Sequence, residues 1–405
     1  MLIATLILIG LALAFYVTYD TLHFIISIIS RHQSPLPTPA PPKNHFAIII
    51  PAHNEKLLIG HSLDSIHQSH YPPSHYRILV IADNCQDETA IIAHEHGAQV
   101  FERTDDTKTG KPYAIHWLLQ QIDINHFDAF IILDADTIVH PDFLTAMNTR
   151  LIRGENVIQG YFGVMNPEET WLTRLAILPG ILKFKLHHPA KNLLHLSCPL
   201  AGNGMCFTRE VFHQQGWNAF SIAENWEYYI LLTLHGWIVT SAEEAIIYSQ
   251  VAPSLQSGRT QRMRWIKGRL HTLYRYWHAL LAGGETRGGT VKLDALIELT
   301  RPSHSMLFLA SLLYGTTVEL LWPREHAAGT LPIIAWSLVG LQVIYFTTGL
   351  IVQRAPLRTW LSLLMIPMYL GWKFSVSLAA FMDIRNTQWI KTKRHGPPKR
   401  SIGSS

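Results

Sequence analysis

The chain has 405 residues, 48% of them hydrophobic and only 15% charged, against roughly 25% charged in an ordinary soluble domain. This composition excludes a disordered or coiled-coil protein and points to segments not solvated by water, while the length allows two or three domain-sized units. Lys and Arg number 33 and Asp and Glu 29, a net charge of +4, too small for a nucleic-acid binder and better explained by local basic clusters beside a membrane.

Residues 2–19 carry no charge, and a second apolar run, 24–29, follows Asp20. Residues 1–30 therefore read as a transmembrane helix. No basic segment precedes it and no small-residue cleavage site follows, so an uncleaved anchor is expected. Arg31, His32 and Lys43 flank a Pro-rich linker over 31–45, which the positive-inside rule places in the cytoplasm. From residue 46 the texture changes. Residues 46–50, 77–82, 99–102 and 129–133 read as strands, and helices are predicted up to about residue 70, over 88–97 and over 112–122. Such alternation predicts an α/β domain with a mostly parallel sheet, whose ligands sit outside the carboxyl ends of the strands. Glu55, Asp83, Asp134 and Asp136 fall at those ends.

Residues 171–196 and 265–281 mix Lys and Arg with Leu, Phe and Trp. They read as helices in the bilayer interface or as half-buried domain helices. Runs 305–322 and 333–352 predict two more spans. The run 361–382 contains Pro367 and Lys373 and precedes a basic tail, 385–405. A further crossing there would put the tail outside, so an interfacial or re-entrant helix is expected, with a full span as the alternative. The domain plan is thus an anchor (1–30), a linker (31–45), a cytoplasmic domain (46–272), a membrane region (273–384) and the tail. Cys85, Cys198 and Cys206 form no CxxC, which fits a reducing compartment. The 23 histidines show no HExxH or zinc spacing and read as surface and core residues.

Asp134-Ala-Asp136 closes a buried strand, so both carboxylates can reach a hard cation such as Mg²⁺ or Mn²⁺. This pair suits a substrate with a leaving diphosphate. Asp83 is placed to accept hydrogen bonds from a base or ribose, and Asp87 reads as a helix N-cap. Glu55 either holds a nucleotide or favours a helix N-terminus. Lys108 and Lys111 precede a helix, where a phosphate would be welcome, but the Walker pattern is absent.

In order, PAHNE (51–55), ADNCQDET (82–89), GK (110–111), DADT (134–137), AGNGMCF (201–207), AENWE (223–227) and QRMRW (261–265) resemble a membrane-anchored glycosyltransferase of family 2. The resemblance covers about 46–272 and implies a GT-A fold, a doubly wound α/β sheet, with transmembrane and interfacial helices. It implies an inverting transfer from a metal-bound UDP-sugar to a membrane-proximal polysaccharide or lipid. It also implies a multi-pass protein of the bacterial inner membrane with its catalytic domain in the cytoplasm. Ala52, Glu55 and Asp83 would bind the nucleoside, Lys111 the phosphates, Asp134 the ribose or sugar, and Asp136 the metal, with Asp134 near it. Gly202, Asn203 and Gly204 would line the sugar and acceptor pocket. Gln261, Arg264 and Trp265 would shape the acceptor site. The family usually shows Glu-Asp where this chain has Glu224-Asn225, and that Asp is the general base. Asn cannot take a proton, so Glu224 is the first replacement and Glu227 the second. The departure also keeps open a non-catalytic, nucleotide-sugar-binding subunit of a synthase complex.

Overall fold

The computed structural model describes residues 1–33, 36–282, 287–321 and 330–384. The basic tail and parts of the linker lie outside the described residues. Eight strands form one sheet in the order β3-β2-β1-β4-β7-β6-β8-β5. They are β1 (Phe46–Ala52), β2 (Tyr76–Asp83), β3 (Gln99–Arg103), β4 (Ala129–Ile132), β5 (Ile138–Val139), β6 (Val157–Val164), β7 (Met205–Thr208) and β8 (Val239–Ser249).

The first four run parallel in the order β3-β2-β1-β4. Their continuous apolar sequences follow from burial on both faces. Successive residues alternate sides. Ile48, Ile50 and Ile131 pack with Leu63, Ile66 and Phe143 on one face. Ile49, Phe130 and Ile132 pack with Leu118, Tyr228 and Tyr229 on the other. Beyond β4 the sheet becomes mixed. β7 is antiparallel to β4 and to β6, and β5 is antiparallel to β8. Only β6 and β8 pair in parallel there. The parallel expectation therefore holds for one half of the sheet. β7 is four residues long and carries no periodic signal of its own.

Among the described residues, four helices are long and apolar enough to cross a membrane: Ile3–Arg31, His304–Leu321, Thr330–Val352 and Leu357–Met382. The last contains the run expected to be interfacial or re-entrant, with a full span as the alternative; its length and composition are compatible with both. Pro367 does not interrupt it, because it sits in the first turn of the helix Ile366–Met382, after the 3₁₀ turn Leu363–Met365.

Residues 171–196 break into three short helices, Trp171–Leu175, Ile177–Leu186 and His188–Leu193. They pack against membrane-type helices. Tyr345 Oη donates to the Leu182 carbonyl at 3.0 Å. Lys191 is wholly buried, with Nζ 2.7 Å from Asp294 and 3.0 Å from Glu298. Those carboxylates also receive Tyr19 Oη, at 2.7 Å and 3.2 Å. Arg301 joins Glu298 to Asp20 of the first helix, at 3.2 Å and 2.9 Å. His187 donates to Glu298 at 2.7 Å. This buried ionic network ties the first helix to the domain and to the helix Arg287–Thr300.

Candidate active site

The ends of β1, β2 and β4 open on one side of the sheet. Ala52, 3% exposed, closes β1, and the chain then turns through Asn54 at φ +52°. His53 Nδ1 meets the Asp83 carbonyl at 2.7 Å, locking the β1 and β2 ends together. Glu55 is half-buried, and its backbone N–H donates to Thr89 Oγ1 at 2.8 Å. Asp87 accepts the Thr89 N–H at 3.0 Å, but it lies one residue before the N-cap expected of it: the helix Thr89–Glu95 has Glu88 at that position, without a side-chain capping bond.

Asp83 is buried and faces Arg103 at 2.5 Å. Its other oxygen accepts the Gly110 N–H at 3.3 Å. Sequence reasoning missed Arg103, although the parallel register sets Asp83 directly beside it. Arg103 also binds Asp105 at 2.8 Å and the Lys108 carbonyl at 2.7 Å. Backbone N–H groups of Lys108 and Thr107, with the Thr107 hydroxyl, hold the Asp105 carboxyl down to about 2. The loop 105–110 is thus fixed before it delivers Lys111 to the N-terminus of the helix Lys111–Gln121. Gly110, at φ +98°, makes the turn that an L side chain would resist.

Lys111 Nζ lies 2.6 Å from Asp134 and also donates to the Gly202 carbonyl. Asn203 Oδ1 accepts the Asp134 N–H at 3.1 Å. Its Nδ2 donates to Thr137 Oγ1 at 2.7 Å and to Ser249 Oγ at 3.2 Å. The loop 201–204 is therefore stitched to the DxD turn. Asp136 is 3% exposed at the same turn. Gly202 and Gly204 hold φ of +86° and +65°. A Cβ at Gly202 would stand 3.6 Å from the side chain of Asn225 and 3.8 Å from Glu224 Oε1.

Glu224 opens the helix Glu224–Leu234. Burial pushes its carboxyl above the ordinary range, while Lys111 and Arg264 pull it back. Asn225 donates to the Leu200 carbonyl at 2.8 Å, which braces the 201–204 loop. Glu227 is 2% exposed and turned the other way. It accepts the Ser221 N–H at 2.8 Å, Arg275 at 3.0 Å and Tyr276 Oη at 3.0 Å. Those three donors occupy its carboxylate on the side of the helix Leu255–Leu281.

Gln261, Arg264 and Trp265 lie on the long helix Leu255–Leu281. Trp265 is 49% exposed. The helix docks on the start of the Glu224 helix through Gly268: a Cβ there would lie only 2.2 Å from the Cβ of Ala223. No sequence signal marked Gly268 as a contact point. Thus Lys111, Asp134, Gly202, Glu224 and Arg264 form one electrostatic group. Ala52 and Glu55 stand at the adjoining strand ends.

The metal test rests on the donor set. Among the described residues, no group of three or more His, Cys, Asp or Glu side chains is placed to hold an ion. Asp134 and Asp136 supply two hard oxygen donors. Mg²⁺ and Mn²⁺ accept such a set when substrate phosphates and water complete the shell. The residues fit a substrate-completed ion and no all-protein cage.

A mixed sheet of this order, with a DxD turn at the end of a parallel strand, is the arrangement of a GT-A glycosyltransferase. The chain belongs to the glycosyltransferase like family 2, whose model matches residues 41–268. It is 20% identical over 377 residues to the probable glycosyltransferase YdaM of Bacillus subtilis (strain 168), with 87% of each chain covered. It is 38% identical over 130 residues to the 4,4'-diaponeurosporenoate glycosyltransferase of Staphylococcus aureus (strain N315). That match spans 31% of this chain and a third (33%) of the relative. Among solved structures, the mannosyltransferase PcManGT from Pyrobaculum calidifontis, in complex with GDP-Man and Mn²⁺, superposes with a TM-score of 0.57 at 16% identity. It covers 93% of this chain and 99% of that one, a likeness of fold.

Proposed function

We propose that the protein is a membrane-bound, inverting glycosyltransferase that moves a sugar from a UDP-sugar to a lipid or polysaccharide at the membrane face. The observation that carries this reading is the placement of Lys111. Its ammonium joins Asp134 of the DxD turn to the Gly202 carbonyl, and Glu224 lies against the same glycine. Donor-side and acceptor-side groups therefore meet in one cleft. Four membrane-length helices support a multi-pass protein of the bacterial inner membrane with its catalytic domain in the cytoplasm.

Ala52, Glu55 and Asp83 would receive the nucleoside, with Asp83 held in place by Arg103. Asp136 and Asp134 would hold a Mg²⁺ or Mn²⁺ ion, which neutralises charge on the departing diphosphate. Lys111, released from Asp134 by the donor, and Arg264 would add fixed positive charge at the same phosphates. Glu224 would take the proton of the acceptor hydroxyl as its oxygen attacks the anomeric carbon. The bond to the diphosphate breaks on the opposite face, so configuration inverts. A carboxyl raised by burial suits that task, because basicity rises with pKa. Asn225 takes no proton and holds the loop instead. Asn203 and Gly204 line the sugar pocket, and Gln261 and Trp265 border the acceptor.

The test uses the full chain in detergent with a panel of nucleotide sugars and Mn²⁺. Glu224→Gln should abolish transfer and keep donor binding; a general base contributes about 10²–10⁴-fold in rate. Product sizing separates one added sugar from a ladder. Absence of transfer or hydrolysis with every donor would replace this reading with the nucleotide-sugar-binding subunit.

A further inference from the structure

The helix Leu255–Leu281 holds Arg259, Arg262, Arg264, Lys267, Arg269 and Arg275 and no Asp or Glu. Three of these cations have carboxylates. Arg275 meets Glu227 at 3.0 Å, Lys267 meets Asp383 at 2.6 Å, and Arg264 acts on Glu224. Arg262 and Arg269 lie seven residues apart on one face, which packs near the helix Ile366–Met382. Among the described residues, neither has an ion pair. The Arg262 guanidinium rests over Trp372 at 5.0 Å and Tyr369 at 5.9 Å, and its buried Nε has no hydrogen-bond partner. That of Arg269 rests over Trp226 at 5.9 Å. A third cation, Lys373, is half-buried beside Trp372 and within electrostatic reach of both arginines. It too has no carboxylate among the described residues. Asp383, the one acid in 357–384, is taken by Lys267. Glu298 is within electrostatic reach of Arg269 but is bound to Lys191, His187 and Arg301.

Gathering three cations without counter-charge costs free energy through mutual repulsion. Burial and the neighbouring Arg301 push Arg269 down, to about 10. A charged residue inside a membrane-length helix marks a ligand site by default. Tyr and Trp, here Tyr369 and Trp372, are residue types enriched where a helix meets lipid headgroups. The seam adjoins the helix that carries Glu224, since the Arg269 guanidinium lies over Trp226 of that helix.

We infer that the seam between Leu255–Leu281 and Ile366–Met382 binds the anionic headgroup, phosphate or carboxylate, of a membrane amphiphile beside the acceptor site. The inference rests on the membrane-bound reading and deepens it: the lipid acceptor would carry a negative charge, held by Arg262, Arg269 and Lys373 while its hydroxyl faces Glu224.

The test titrates the full chain in neutral detergent with dodecyl phosphate, dodecanol and inorganic phosphate. Wild type should prefer dodecyl phosphate to dodecanol by tenfold or more. Arg269→Gln and Lys373→Met should each weaken it about tenfold, as expected for a lost charge-assisted contact. Arg269→Lys should restore most of the affinity, and retained melting temperature and donor binding would show that the variants fold. Equal affinity for phosphate and alcohol, or unchanged affinity in both variants, would overturn the site. Lipid nanodiscs separate the sources. Phosphatidylglycerol competes with dodecyl phosphate where bulk phospholipid fills the seam and fails to compete where a distinct acceptor does; both results keep the site. No turnover is measured, so failure of the transferase reading would leave this readout intact.

Discussion

Gly268→Ala is the smallest change that tests whether the long basic helix positions Glu224, the proposed base. The new Cβ would stand 2.2 Å from the Cβ of Ala223, and 3.1 Å and 3.2 Å from its backbone N and Cα. Carbons rest at about 3.5–4.0 Å, so the helix must retreat by roughly 1.5 Å at this point. Ala223 directly precedes Glu224, and Arg264 lies one turn before Gly268 on the moving helix. A misplacement of about 1 Å costs on the order of 10²-fold in rate. Overpacking alone costs about 1–3 kcal/mol of stability. The expected result is a loss near 10²-fold in transfer with a modest fall in melting temperature. Donor affinity should hold, because the ends of β1 and β2 are not displaced. Ala223→Gly removes the nearer carbon, so the double variant should recover much of the rate. The assay is the initial rate of nucleotide release in detergent, with donor binding by calorimetry. Full turnover in Gly268→Ala would refute the reasoning.

Two further expectations concern the buried ionic network. Lys191→Met leaves Asp294 and Glu298 without their shared ammonium and should cost about 3–5 kcal/mol. Arg31→Met, which breaks a half-exposed pair with Glu243 at 2.9 Å, should cost about 0–1 kcal/mol; chemical denaturation in detergent compares the two, and equal losses would deny the network its weight. His187 is 1% exposed and burial holds it down to about 3, against about 6.5 in the unfolded chain. Its stabilising contribution is full above pH of about 6.5 and drains as pH falls toward 3, reaching a loss of about 2 kcal/mol by pH 5. His188, depressed by the same burial, acts in the same direction. His187→Gln should therefore flatten the fall in melting temperature between pH 6.5 and 5, whereas an unchanged slope would show that this imidazole does not carry it.

The half of the sheet holding β1, β2 and β4 was legible because both its faces are buried, which writes apolar runs such as Ile48–Ile50 into the chain. Acidic residues at the ends of those runs then marked the cleft. β6 and β8 carried no such mark. Their exposure varies along the strand, and their register shifts between Gly160 and Tyr161. The site divided in a similar way. Charged ligand-type residues announce themselves by type and spacing, so Asp83, Lys111, Asp134, Asp136 and Glu224 could be put forward as candidates. Their supports could not. Arg103 matters only through its register with Asp83, and Gly268 through a side chain it lacks. Glu227 shares a helical face with Glu224 in sequence, yet the Arg275 and Tyr276 contacts that claim it come from a helix nearly fifty residues away.

The bond between Arg301 and Asp20 closes a gap of 281 residues, and that gap has a meaning for biogenesis. The first helix leaves the ribosome long before its partners exist. An aspartate in the middle of a helix resists insertion by about 2.5–3.5 kcal/mol. At about 5–20 residues per second, Asp20 waits roughly a quarter of a minute to one minute for its arginine. In the proposed membrane-bound protein the nascent chain then holds an orphan acid in or near lipid for that interval, and the carboxyl is favoured in its protonated form until synthesis passes residue 301.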